Sequence, residues 1–108
     1  MVTIQKAAPC SKGSVASITL ENANGMRVTL LSYGATIQSI VVPDRNGVLT
    51  DVLLGYETVK EYEENDGYLG ACIGRNGNRI AGAAFTLNGQ RFHLTANEGK
   101  NQLHGGLC

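Results

Sequence analysis

Residues 36–54 read TIQSIVVPDRNGVLTDVLL, two apolar runs separated by the turn sequence Pro43-Asp44-Arg45-Asn46-Gly47. Proline sets φ and Asn-Gly accepts positive φ, so the chain is predicted to reverse its direction here. The runs on either side, Thr36–Val42 and Val48–Leu54, are rich in the β-branched residues that favour strands. The stretch therefore predicts an antiparallel hairpin, and this hairpin decides the fold class.

Short apolar runs joined by tight turns recur on both sides of this hairpin. Val15–Leu31 is predicted to be a hairpin with its turn at Asn22–Gly25, and Ala84–Thr95 a second one whose Asn88-Gly89 turn is a type I′ signal. Gly34 lies between two strand-like runs and predicts a bulge or a bend between sheets. With 14 glycines and only two prolines, the chain has the composition of many short strands, so an all-β fold is predicted.

Thr58–Asp66 is the segment with a helical pattern. Thr58 and Glu61 have the spacing of a capping box, in which each side chain accepts a hydrogen bond from the other residue's backbone. Acidic residues at four positions between Glu61 and Asp66 raise the question of a metal site. Nothing nearby in the sequence supplies convergent ligands, so we interpret them as a solvated surface turn.

Charge and apolar content exclude several classes of protein. Nine basic and nine acidic residues give zero net charge and form no basic block, which argues against nucleic acid and membranes as partners. The apolar runs are too short for a transmembrane helix, and the N-terminal residues lack a signal peptide's apolar segment, so a cytoplasmic protein is expected. Cys10, Cys72 and Cys108 form no C-x-x-C pair, which predicts neither a zinc site nor a disulfide framework.

The most unusual segment is the loop Gly70–Ile80, which mixes glycines with arginines and asparagines. An arginine fork is ordered when it meets a planar or hydroxylated partner, so Arg75 and Arg79 are candidate binding residues. The alternative, that both lie at the surface or hold the loop to backbone carbonyls, stays open on composition alone. His104 precedes two glycines that leave room for a ligand, although a lone histidine is more often structural. His93 is predicted to be an ordinary strand residue.

Phosphate-binding loops do not fit this segment. The P-loop needs G-x-x-x-x-G-K-[ST], whereas the spacing from Gly70 to Gly74 is different and no Lys-Ser/Thr follows. The dinucleotide fingerprint needs a βαβ unit, which this strand-rich chain lacks. Neither a Ser-His-Asp order nor a metal-ligand cluster nor an aromatic stacking platform is visible.

Several motifs stand in a fixed order along the chain: YGATI at 33–37, VPDR-x-G at 42–47, DV-x-LGY at 51–56, GRNGNRI at 74–80 and LHGG at 103–106. Each is weak alone. As an ordered set they closely resemble the N-terminal third of the aldose 1-epimerase (galactose mutarotase) family, and the resemblance covers the chain from about residue 28 onward.

The resemblance implies part of a large antiparallel β-sandwich (galactose mutarotase-like) that binds a monosaccharide, an aldohexose, on one sheet. The family's sugar-contacting residues correspond to Asn78, Arg79 and His104. The implied reaction interconverts the α and β anomers of hexoses such as galactose and glucose by acid–base ring opening and closing, and it needs no cofactor and no metal. Gly77 departs from the family's usual alanine, which is expected to loosen the loop without removing a contact.

Family members are much longer, and their general base and general acid, a glutamate and a second histidine, come from later segments. We therefore expect residues 1–108 to be the N-terminal portion of a single truncated domain, without an internal boundary and without a catalytic acid–base pair. Three interpretations stay open: part of an epimerase that is inactive alone, a carbohydrate-binding module, and a non-catalytic interaction fragment. Because an incomplete sandwich exposes edges and apolar faces, self-association is also expected.

Overall fold

A computed structural model describes residues 1–11 and 13–107, with nothing specified for the side chains of residues 6–8. Strands in antiparallel sheets are the main regular structure of the described chain, with few helical residues, which confirms the all-β prediction. Its elements are β1 (Val2–Cys10), β2 (Gly13–Glu21), β3 (Arg27–Leu31), β4 (Thr36–Pro43), β5 (Leu49–Asp51), α1 (Val59–Glu63), β6 (Arg79–Ile80), a 3₁₀ turn (Ala81–Ala83), β7 (Ala84–Leu87), β8 (Gln90–His93) and β9 (Gln102–Leu103).

The chain forms two compact units, Met1–Cys72 and a second unit that begins at Ile73. The prediction that residues 1–108 are a portion of one domain without an internal boundary concerns a longer chain, and it stays a prediction. No helix in the described ranges is long and apolar enough to cross a membrane.

The first unit is built on a five-stranded antiparallel sheet in the order β1-β2-β3-β4-β5. The predicted hairpins at Val15–Leu31 and 36–54 are both present. Strand β5 covers only Leu49–Asp51 rather than the predicted Val48–Leu54. It ends early because the Asp51 carboxylate itself accepts hydrogen bonds from the backbone of Ile40 and Leu53, replacing the ladder at this point.

Strand β1 at the sheet edge has no counterpart in the sequence prediction. The segment contains Pro9, which lacks a backbone N–H, and its pairing with β2 shifts register between Lys6 and Ala8. Both features obscure the alternating pattern of a strand. They are tolerated because β1 is an edge strand and needs to form hydrogen bonds on one side only.

The interpretation of Gly34 as a bulge or a bend between sheets is wrong. Gly34 and Ala35 both have positive φ, 62° and 53°, in the turn that joins the paired strands β3 and β4. The irregularity lies instead within β4, where Gln38 is the extra residue between the pairs Thr29–Ser39 and Leu30–Ile37. The glycine thus reverses the chain within one sheet.

Helix α1 closes the core of the first unit. The predicted capping box is present, with the Thr58 backbone N–H donating to Glu61 Oε2 over 2.9 Å and the Glu61 N–H to Thr58 Oγ1 over 3.4 Å. The hydrogen bond from the Thr58 side chain is the main reason that the pKa of Glu61 is lowered. The helix is shorter than predicted, ending at Glu63, and it buries Val59 and Tyr62. These two pack with Val15 and Leu31 of the sheet.

The second unit contains the β7–β8 hairpin. Asn88 and Gly89 have φ of 53° and 79°, which confirms the type I′ turn, and Phe85 stacks on Phe92 across the strands with ring centroids 5.3 Å apart. Strand β8 ends at His93, two residues before the predicted Thr95. The Leu94 N–H still donates to the Ala83 carbonyl in the register of the ladder, but Ala83 already belongs to the 3₁₀ turn, so the strand pairing stops there. His93 is an exposed strand residue, as predicted.

Candidate functional site

The pairing of β6 with β9 brings the segments of Asn78 and His104 together. Arg79 pairs with Leu103 and Ile80 with Gln102 in a short antiparallel ladder. Just beyond it the Asn78 N–H donates to His104 Nδ1 over 3.0 Å, and the His104 N–H donates to the Asn78 carbonyl over 3.1 Å. The three predicted site residues are therefore neighbours in the structure. Their assignment as sugar-binding residues stays a prediction.

The backbone at Asn78 and His104 adopts an uncommon conformation, and the turn after His104 is closely packed. Asn78 and His104 have φ of 62° and 51°, in the left-handed region, which asparagine and histidine enter more readily than most residues. Gly106, two residues after His104, has φ of 91°, and a Cβ there would lie 3.1 Å from the Gln102 side chain and 3.2 Å from the Thr95 carbonyl oxygen. Glycine at this position therefore lets the turn after β9 pack closely.

The hydrogen bond at His104 fixes the state of its ring. A backbone N–H can only donate, so Nδ1 must accept from Asn78 and carries no hydrogen. The ring is then the neutral tautomer with its hydrogen on Nε2. His104 consequently has an N–H donor on the nitrogen that points away from Asn78.

Arg79 is held by a two-point ion pair with Glu98. Its Nε and Nη2 atoms each donate to one carboxylate oxygen of Glu98, both over 2.6 Å, and Nη1 donates to Asn78 Oδ1 over 3.3 Å. The hydrogen bond from Arg79 is the main cause that lowers the pKa of Glu98, and the same bond raises the pKa of Arg79. The side chains are 56% and 37% exposed, so the pair is open to solvent.

Glu98 and Asn97 were not singled out by the sequence. Both amide atoms of Asn97 bind the backbone of Leu103, with 2.7 Å to its N–H and 2.9 Å to its carbonyl. Asn101 accepts a hydrogen bond from the Gly82 N–H. The loop therefore braces β9. The only signal in the sequence is the cluster of asparagines and one acid shortly before His104.

The sequence left open which arginine of the loop faces a site. Arg79 lies beside Asn78, whereas Arg75 is exposed and forms no hydrogen bond with any residue in the described part of the chain. Gly77 lacks a positive φ, and an added Cβ would find only Ile73 Cγ2, at 3.7 Å. Alanine would therefore fit at Gly77, and the expectation that glycine loosens the loop without removing a contact stays a prediction.

The cluster offers hydrogen-bond donors and acceptors to a polar ligand. Across residues 1–11 and 13–107, no group of three or more His, Cys, Asp or Glu side chains is placed to hold a metal ion. Cys10 and Cys72 are free thiols, and Cys108 lies outside the described residues. A guanidinium, an amide and a neutral imidazole on paired backbone suit the recognition of hydroxyl groups.

Solved structures place the chain in a class of known folds. It superposes on the crystal structure of galactose 1-epimerase from Lactobacillus acidophilus with a TM-score of 0.81 and 27% identity, covering 98% of this chain and 30% of that one. A GalM/aldose epimerase homologue from C. elegans gives a TM-score of 0.79 and 36% identity over 85% of this chain and 28% of the other. The class is that of the galactose epimerase fold, which confirms the fold prediction.

Sequence relatives identify the family. A family model described as aldose 1-epimerase matches residues 16–107. The aldose 1-epimerase of Haemophilus influenzae is 53% identical over 82% of this chain, and the galactose mutarotase of Sus scrofa is 42% identical over 92% of it. The chain belongs to the aldose 1-epimerase family, as its motifs predict. It spans 26% and 29% of the length of these two relatives.

Proposed function

We propose that the chain is the sugar-positioning part of an aldose 1-epimerase, which interconverts the α and β anomers of hexoses such as galactose and glucose. The observation that carries the proposal is the meeting of Asn78, Arg79 and His104 where β6 pairs with β9. Family membership supports it, as do the names of two relatives, a galactose mutarotase and a galactose 1-epimerase. The proposed ligand is therefore a neutral aldohexose.

Each residue has a role in this proposal. Ring opening removes a proton from the anomeric hydroxyl and delivers one to the ring oxygen. Arg79 donates to the ring oxygen or a neighbouring hydroxyl, where negative charge grows as the ring opens. Asn78 and His104 orient hydroxyl groups, since the amide offers both a donor and an acceptor and the imidazole, whose Nδ1 accepts from the Asn78 N–H, offers the donor on Nε2. No cofactor enters this chemistry.

The acid–base pair is the part that this chain is proposed to lack. Two titratable side chains of this cluster are already engaged, since both oxygens of Glu98 accept from Arg79 and His104 Nδ1 accepts from the Asn78 N–H. A general acid or base must exchange a proton with the substrate, and neither side chain is well placed to do so while these hydrogen bonds are formed. We therefore propose that the isolated chain positions a sugar but does not accelerate mutarotation.

The test combines polarimetry with calorimetry on the 108-residue chain. We expect saturable binding of D-galactose by the native chain and by the matched control Arg75→Ala. Arg79→Ala should bind about tenfold more weakly, because it loses a charge-assisted donor. None of the three should speed the mutarotation of galactose. Clear turnover by the isolated chain would show that the acid–base pair is misplaced, and equal binding by both variants would exclude Arg79 from the site.

A carbohydrate-binding module that uses the same three residues is the second candidate. It is favoured by the engagement of Glu98 with Arg79, which leaves this carboxylate poorly suited to proton transfer. The reading frame beyond Cys108 separates the two candidates, since a further histidine-rich strand and a late glutamate are expected only for an epimerase. A non-catalytic interaction fragment, the third interpretation, would show neither binding nor turnover. The cytoplasmic location stays a prediction.

A further inference from the structure

We propose that Glu98 is a positioning residue for the candidate site, fixing the guanidinium plane of Arg79 beside Asn78. The role is stated for the sugar site proposed above and rests on that proposal. Glu98 does not contact the ligand in this scheme. It acts through Arg79, by deciding which N–H groups the arginine can offer.

The two hydrogen bonds between Glu98 and Arg79 fix the plane of the guanidinium group. A single hydrogen bond lets a guanidinium rotate about its contact, whereas two parallel bonds fix its plane. Both oxygens of Glu98 are used, one at Nε and one at Nη2, each at 2.6 Å. A third bond, from Nη1 to Asn78 Oδ1 at 3.3 Å, locks the opposite edge. Of the five N–H groups of an arginine, one on each terminal nitrogen remains to donate to a ligand.

The loop that carries Glu98 is itself held by hydrogen bonds. Its N–H donates to the Asn101 carbonyl over 3.1 Å, and its carbonyl accepts from the Asn101 N–H over 2.9 Å. Asn97, the preceding residue, is bound at both amide atoms to Leu103, the residue before His104. The carboxylate of Glu98 and the ring of His104 are therefore presented by one hydrogen-bonded segment. Arg79 is thereby tied to the same segment as His104.

The ion pair of Arg79 with Glu98 is open to solvent, which limits its effect on stability. Arg79 and Glu98 are 56% and 37% exposed, and exposed ion pairs contribute little to the free energy of unfolding. The main consequence of this short bidentate contact is therefore the orientation of the Arg79 guanidinium group.

The first experiment reads the orientation directly, without a ligand. The Arg79 Nε–H is expected to give an ordered NMR resonance that is protected from solvent exchange. Glu98→Ala should abolish that protection and Glu98→Gln, which keeps one acceptor oxygen, should restore part of it. Asp66→Asn, at an exposed acidic position in the first unit, is the charge-matched control and should leave the resonance unchanged. Full protection in Glu98→Ala would overturn the proposal.

The second experiment measures D-galactose affinity in the same variants, after the backbone amide spectrum has shown that each one is folded. Glu98→Ala should bind about fivefold more weakly than the native chain, with Glu98→Gln between them and Asp66→Asn unchanged. Unchanged affinity in a folded Glu98→Ala would contradict the positioning role. If the native chain itself does not bind galactose, the proposed function fails, whereas the Nε–H resonance still decides whether Glu98 positions Arg79.

Discussion

At the scale of single residues, the candidate site depends on hydrogen bonds that join side chains to backbone. The Asn78 N–H holds His104 in one tautomer, and the Asn97 amide holds Leu103 at both of its backbone groups. The ion pair of Arg79 with Glu98 adds a contact between two charged groups. These contacts lie between positions as far as 26 residues apart, so their geometry follows from strand pairing.

The ion pair makes the pKa of Glu98 depend on Arg79. Because the hydrogen bond from Arg79 lowers its pKa in the folded state, the stabilisation from this bond is present above the unfolded-state pKa and is lost as the pH falls through the lower folded value. In Arg79→Ala the pKa of Glu98 should rise toward its ordinary value. A carboxyl ¹³C NMR titration measures this change.

Glu61 provides an internal control for that titration. Its pKa is also lowered, but chiefly by the Thr58 side chain. It should therefore keep its midpoint in Arg79→Ala and rise in Thr58→Ala. A Glu98 midpoint that does not move when Arg79 is removed would contradict the ion pair.

At the scale of elements, tight turns decide where the strands end. The turns at Pro43–Gly47 and Asn88-Gly89 could be predicted because Asn-Gly and proline fix local backbone angles. Strand β1 could not be predicted, because it forms by pairing with β2 and its own sequence pattern does not reveal that pairing. Strands β6 and β9 are too short, at two residues each, to carry a recognisable alternation. The Arg79–Glu98 contact depends on that pairing, and so the sequence did not indicate it.

The resemblance to a known family supplied what local patterns could not. It selected Asn78 and Arg79 rather than Arg75, and it paired them with His104 across a separation that no turn or strand signal spans. The physical reason for their proximity, the ladder between β6 and β9, became visible only in the structure.

Gly70 packs closely against the backbone of β4 at Ile37, and its carbonyl accepts a hydrogen bond from the Ile37 N–H over 2.8 Å. Its φ is +68°, and an added Cβ would lie 2.1 Å from the carbonyl oxygen of Ile37, which no real side chain tolerates. Gly70→Ala should therefore destabilise the chain by about 2 kcal/mol or more, measured by chemical denaturation. Gly77→Ala, where a Cβ meets only ordinary contacts, is the matched control and should change stability by less than about 0.5 kcal/mol. Equal effects of the two substitutions would contradict the close approach.

At the scale of the whole molecule, the sheet of the first unit presents an apolar face. Its register aligns Val2, Leu20, Val28 and Ile40 across four strands. Val2 and Ile4, on the edge strand β1, are 64% and 69% exposed, and an open groove of about 330 Å³ lies beside Val2, Leu20 and Val28. Apolar surface beside an unpaired strand edge favours association between chains.

Self-association is therefore predicted for the isolated chain. Ile4→Lys places a charge on the apolar face and should shift the sedimentation profile toward monomer. Thr3→Lys places the same charge on the opposite face of β1, because successive strand residues point to opposite sides, and should have a smaller effect. A native chain that is monodisperse, monomeric and melts cooperatively would contradict this prediction.

If Asn78, Arg79 and His104 form one sugar-binding site, an NMR titration of the ¹⁵N-labelled chain with D-galactose will detect all three at once. We expect saturable shifts of the Asn78 and His104 backbone amides and of the Arg79 Nε–H, all with one dissociation constant. The exposed Arg75 side chain and the β7–β8 hairpin should be unaffected. An absence of saturable shifts, or shifts confined to other residues, would contradict it.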